Sequence, residues 1–194
     1  MKEYIDQYRR YYQKYIDFLP EEVDYYEENI EYIEIKKKEF LLKSGEIEQY
    51  SYFIIEGAFR QFIEKDGKEI CIEFGFPNNI LCAFLSYHSA KPSTISVQAL
   101  SNGKLLRLSK KNVDEFNEIS KNSERFTRKT MEFFYTVKLK REISLLTTTA
   151  EERYLKLLEI QPKIIKIIPV KDLATYLGIH PESLSRIRKK VHRS

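Results

Sequence analysis

Residues 170–191, VKDLATYLGIHPESLSRIRKKV, constrain the fold of this chain more than any other stretch. Ala174 stands four positions before Gly178. A small side chain there lets two helices cross closely, and glycine tolerates the left-handed backbone of a tight turn between them. Leu173, Leu177, Ile179, Leu184 and Ile187 fall where a small core would sit beneath such a pair. The pattern is a helix-turn-helix. Its second helix keeps Glu182, Ser185, Arg186, Arg188, Lys189 and Lys190 for the outside, the polar and basic face expected of a helix lying in the major groove of duplex DNA.

Charge coincides with that pattern. Residues 163–194 hold eight of the 33 Lys and Arg but only two of the 29 Asp and Glu, so they carry +6 while residues 1–162 carry −2. A basic segment of this kind is an electrostatic footprint for a polyanion. The first 18 residues are too charged for a secretory signal, and no apolar run approaches the roughly 20 residues of a membrane span. Cys71 and Cys82 are too few for a disulfide framework, which points to a cytoplasmic setting.

Residues 1–18 read as a helix, and a second helix starts at Pro20, with Glu21 and Glu22 in its first turn. Between Ile33 and Leu108 the period is that of short strands. Lys65-Asp66-Gly67-Lys68 marks a hairpin, and Asn102-Gly103 marks a tight turn between strands 94–100 and 104–108. Strands this short and this closely spaced predict a small sandwich or roll. Helix returns at 110–119 and again at 123–146, a stretch without Gly or Pro. There Phe126, Thr130, Phe133 and Val137 share one face, widened by Phe134. Thr149 and Glu152 form a capping box for the next helix. The expected class is α+β: N-terminal helices and an antiparallel, jelly-roll-like β-roll, a long helix, and a C-terminal winged helix-turn-helix. Units are expected at 1–120, 121–147 and 148–194.

This order of elements resembles the Crp/Fnr family of transcription regulators. Two stretches carry the resemblance. One is Gly45-Glu46 with residues 52–60, YFIIEGAFR; the other is residues 150–155, AEERYL, with the helix-turn-helix. The resemblance implies a homodimer seamed by the long helix, so Phe126, Thr130, Phe133, Phe134 and Val137 are the expected dimer interface. It implies double-stranded DNA and RNA polymerase as partners, and no catalytic activity. Aligned to the family, Glu182 and Arg186 match base-contacting positions. With Ser185 they are the expected base readers, while Lys171, Arg188, Lys189 and Lys190 are expected phosphate contacts. The family's cyclic-nucleotide cassette needs a Gly-Glu pair and an Arg. Anchored on Ala99, those positions fall on Cys82, Ala83 and Ser93, and Thr94 alone matches. Without the carboxylate and the guanidinium the pocket has no charge complement for a phosphodiester, so binding of cyclic AMP or cyclic GMP is not expected.

His88, His180 and His192 are scattered, which argues against a metal enzyme of the cupin kind. Two cysteines fall short of the four that iron–sulfur relatives need, so neither metal nor cofactor is expected. Cys71 reads as a buried structural thiol, and Cys82 beside the pocket leaves a redox role as an alternative. A small-ligand sensor built on the roll is the competing function. The acidic stretch 21–34 reads as a solvated face, and the aromatic first helix as packing on the roll.

Overall fold

Tyrosines recur at three- and four-residue spacing near the N-terminus, and they decide how it packs. In the computed structural model, which describes residues 2–160, 162, 165 and 167–191, helix α1 spans Lys2–Tyr12 and α2 spans Pro20–Asn29. Tyr8, Tyr11 and Tyr12 are buried against Phe53 and Tyr26, so the first helix packs on the roll. The acidic side chains of residues 21–34 reach solvent with one exception. Glu22 is buried, accepting hydrogen bonds from the Leu19 N–H at 2.8 Å, from Asn122 at 2.9 Å and from the Ser120 hydroxyl. It caps its own helix and fastens it to a distant junction.

The strands are β1 (Glu31–Ile35), β2 (Phe40–Leu42), β3 (Tyr50–Glu56), β4 (Phe59–Lys65), β5 (Lys68–Gly75), β6 (Ile80–Leu81), β7 (Ser96–Ala99) and β8 (Gly103–Ser109). They form two antiparallel sheets, ordered β1-β8-β3-β6 and β2-β7-β4-β5. Ile54, Phe59, Val97 and Leu105 are fully enclosed in the core that the sheets share. Asp66 and Gly67 both have positive φ, 52° and 70°, which is the hairpin geometry expected between β4 and β5. The Asn102-Gly103 turn behaves differently from a hairpin turn. Its two strands belong to different sheets, and β8 pairs with β1 and β3. A Cβ at Gly103 would lie 2.7 Å from the Phe59 ring, so that crossing has room for glycine only. A short helix, α3 (Phe84–Ser89), follows β6 where the sequence had suggested none.

Helices α4 (Lys110–Ile119), α5 (Lys121–Thr147), α6 (Ala150–Ile160), α7 (Val170–Tyr176) and α8 (Pro181–Val191) complete the chain. Ser109 and Ser120 cap α4 and α5. The capping box before α6 forms, with Thr149 and Glu152 exchanging bonds at 2.7 and 3.2 Å. Residues 161, 163, 164, 166 and 192–194, around the helix-turn-helix expected to be winged, lie outside the described residues. Among the described residues no helix is long and apolar enough to cross a membrane.

On the long helix the five expected seam residues divide. Phe126 and Thr130 do not face outward as a seam would. Phe126 is 5% exposed, with its ring centroid 5.8 Å from Phe18, 6.2 Å from Tyr12 and 6.1 Å from Tyr15. Thr130 is buried and Phe134 half-buried on the same side, whereas Phe133 and Val137 stay exposed. The stripe keeps to one face, and its first turns belong to the chain's own aromatic cluster. Beyond it Leu139, Ile143 and Leu146 are exposed at spacings of four and three.

The C-terminal helices share a core with the roll. Leu173, Ala174, Leu177 and Leu184 cluster with Cys71, Phe74 and Phe76 of the sheet segment and with Tyr154 of α6. Helix α7 lies on β5: the Cys71 N–H donates to Thr175 Oγ1 at 3.0 Å, and the Phe74 and Tyr176 rings are 4.9 Å apart.

Candidate nucleic-acid interface

Gly178 takes the left-handed conformation expected of the turn, φ 72°, and ends α7 in time for α8 to begin at Pro181. Leu184 is completely buried, and Ile187 and Val191 pack partly beside it. At roughly 100° per residue this inner stripe leaves positions 182, 185, 186 and 189 together on the opposite face. Glu182, Ser185, Arg186 and Lys189 are all exposed there. Among the described residues the side chains of Glu182, Arg186 and Lys189 make no hydrogen bond or ion pair, and the two oppositely charged groups four apart do not pair with each other. The Ser185 hydroxyl donates back to the Pro181 carbonyl at 3.1 Å, as serine does on a helix.

The expected phosphate contacts fare unequally. Lys189 is exposed on the outer face. Lys190 reaches Glu151 of α6 at 2.8 Å, and Lys171 at the start of α7 reaches Glu69 of β5 at 2.8 Å. Arg188 is half-buried, its guanidinium 5.9 Å from the Tyr154 ring centroid. Three of the four basic groups thus have an intramolecular neighbour that sequence spacing could not supply, because Glu151 and Glu69 lie far back in the chain.

One side chain that the sequence reading passed over dominates the junction. Arg60 of β4 is almost wholly buried, and it donates to Asp172 of α7 at 2.6 Å and to Glu69 at 2.9 Å. Its remaining nitrogens hold the Gln98 carbonyl oxygen at 3.0 and 2.6 Å, and its plane lies 4.1 Å from the Phe62 centroid. Arg60 and Lys171 together hold the Glu69 carboxyl below the usual carboxylate range.

The positions of the nucleotide cassette differ in their surroundings. Ala83 is buried at the foot of α3, Ser93 turns its hydroxyl onto the backbone of Ile95, and Thr94 is exposed. Only Cys82 borders the roll's main cavity, about 500 Å³ between β5, α3 and α5, which is lined chiefly by Ile72, Ile80, Phe84, Met131 and Phe134. Its one cation, Lys138, is 2.6 Å from Glu73. Burial pushes the Cys71 thiol up to about 12, and burial with the Glu48 carboxylate nearby raises Cys82 as well, so both are neutral thiols at neutral pH. Among the described residues no group of three or more His, Cys, Asp or Glu is placed to hold a metal.

Residues 32–119 match the family model of the cyclic nucleotide-binding domain. Over most of its length the chain shares the fold of Crp/Fnr regulators. FixK2 from Bradyrhizobium japonicum is similar with a TM-score of 0.72 at 18% identity, over 84% of this chain and 85% of that one. A protein described as a transcriptional regulator of the crp/fnr family from Eubacterium rectale has a TM-score of 0.72 at 16% identity, over 94% and 88%. The c-di-GMP-responsive regulator CLP of Xanthomonas campestris reaches 0.66 at 12%, over 89% and 91%. No curated protein matches the sequence. At these identities the likeness establishes the Crp/Fnr fold, including the joining of roll and helix-turn-helix, and leaves the roles of individual side chains to be tested.

Proposed function

We infer that this chain is a DNA-binding transcription regulator that acts as a homodimer on a palindromic site. The observation that carries the reading is the outer face of α8, where Glu182, Arg186 and Lys189 stand exposed and uncommitted on a helix-turn-helix. Arg186 is suited to donate two hydrogen bonds to a guanine, Glu182 to accept from a cytosine amine, and Ser185 to contact either neighbour. Lys171, Arg188, Lys189 and Lys190 position the duplex through its phosphates. The DNA-reading unit is residues 148–194, reached from the 1–120 roll through the helix at 121–147. The seam between copies runs along the exposed part of α5, with Phe133 and Val137 on one side of the helix and Leu139, Ile143 and Leu146 on another. No reaction is assigned; RNA polymerase is the partner on which such a regulator acts, and the cytoplasm is where it meets one.

Genome-wide binding followed by mobility shift on the enriched site tests this. Arg186→Ala should cost about 1–3 kcal/mol on that site and relax preference at one base pair per half-site. Lys189→Ala should weaken all sequences alike and lower the salt slope by about one. Equal loss by Arg186→Ala on specific and random DNA would make Arg186 a phosphate contact only.

A second reading, a small-ligand sensor, is favoured by the apolar cavity of about 500 Å³ beside α5. It is compatible with the first, since a ligand there touches both the roll and the long helix. An effector would then shift the population of DNA-competent dimers.

A further inference from the structure

We propose that the roll holds the helix-turn-helix in a closed state, by a latch of Arg60 and Glu69 on Asp172 and Lys171, and that duplex DNA competes with this latch. The inference rests on the DNA-binding reading above. In a helix-turn-helix the first helix crosses the phosphate backbone. Here that helix is α7, and the cation at its start, Lys171, is already neutralised by Glu69 at 2.8 Å. The next residue, Asp172, is buried and points at Arg60 at 2.6 Å. Both partners come from the β4–β5 hairpin strands, and the tip of that hairpin stands across an open groove from Gly178, His180 and Pro181, at the entrance to α8. Residues 64–69 carry three carboxylates and two lysines, a net −1. Phosphates approaching α7 therefore meet Glu69 where they would need Lys171, and the hairpin where they would need space.

The latch sets polar contacts beside the apolar core that α7 shares with β5. Thr175 and Arg60 satisfy groups on both sides of the α7–β5 contact, and each such group can return to water when the contact opens. Arg60 stays held by Gln98 in either state, so the roll keeps the guanidinium in place for reclosing. A closed state favoured in the absence of DNA lowers apparent affinity by the fraction of molecules that are open.

The test uses the full chain and a short random-sequence duplex, read by fluorescence anisotropy, with native-state alkylation of Cys71 reporting the opening of α7 from β5. Asp172→Asn should bind about tenfold tighter than the parent and expose Cys71 to alkylation. Glu69→Gln should tighten binding several-fold and steepen the salt slope by about one, as one more phosphate contact requires. Adding Lys171→Ala to Glu69→Gln should abolish that gain. Glu64→Gln removes the same charge from the same hairpin without touching the latch, and should have a much smaller effect. If Glu64→Gln matches Glu69→Gln, the gain is bulk electrostatics and the latch is wrong. Unchanged affinity in Asp172→Asn despite a reactive Cys71 also overturns it, while leaving DNA binding intact. Failure of every variant to bind duplex at low salt would sink the DNA-binding reading itself, and the latch with it. Should Asp172→Asn not fold by circular dichroism, the Glu69 and Glu64 comparison decides alone.

Discussion

Replacing Phe126 by alanine separates two roles for the first half of α5. The ring is 5% exposed and has Tyr12, Tyr15 and Phe18 around it at centroid distances of 5.8–6.2 Å. All three neighbours come from the N-terminal segment of the same chain, so truncation opens a cavity inside one protomer. A buried Phe→Ala change of this kind costs about 3–5 kcal/mol. A chain of this size loses about 2–4 °C of Tm per kcal/mol, which places the expected fall at about 6–20 °C. Thermal unfolding by circular dichroism should show that fall, and sedimentation below the transition should show an unaltered monomer–dimer equilibrium. Ile143→Asn should do the reverse: the exposed side chain contributes little to the protomer, and its loss should weaken self-association. A Phe126→Ala protein of near-normal Tm that sediments as a monomer would refute the assignment of Phe126 to the intramolecular cluster.

Cyclic AMP and cyclic GMP should give no heat in calorimetric titration at physiological concentrations. Lys138, the cavity's cation, is engaged by Glu73, and micromolar affinity would show that another group supplies the missing charge. Iodoacetamide should modify the native thiols slowly at pH 7–8, since burial holds Cys71 up to about 12 and raises Cys82 too. Fast labelling of Cys82 at neutral pH would reopen a redox role. Alkaline stability follows from the same direction of shift. Tyr8, Tyr11, Tyr26 and Tyr52 are raised by burial, so the unfolded chain sheds its phenolic protons first. Their contribution is complete below about pH 10 and declines as pH rises beyond it. Denaturant midpoints that stay level from pH 9 to beyond pH 11 would contradict this.

Local chemistry made much of this architecture legible. Ala174 and Gly178 fixed the helix-turn-helix because their small size is needed within a few residues of one another. Asp66-Gly67 fixed a hairpin because its backbone signs are a property of the dipeptide, and 110–119 was bounded by its own serine cap. What escaped was non-local. The turn at Asn102-Gly103 looks the same whether its strands pair or part, and the partners of β8 lie far back in the chain. Helical period put Phe126 and Val137 on one stripe, yet no periodicity tells which part of a stripe meets a neighbouring chain. Asp172 lies in the first turn of α7 and Arg60 in β4, and nothing local to either position points to the other. Their contact joins positions 112 apart in sequence. The candidate base-reading face was legible, because it is defined by what the small core beneath it leaves outside.

The core common to β5 and the C-terminal helices bears on how this protein can be taken apart. Grafting the last 47 residues onto another sensor, or expressing the roll without them, cuts through a packed interior and strips the cover from Cys71, Phe74 and Phe76. Neither fragment is a natural spare part. A working chimera would have to import the outer face of β5 together with its new reader, or supply a polar replacement for it, so specificity in such a chain is more safely redirected by changing side chains along α8 than by exchanging the module.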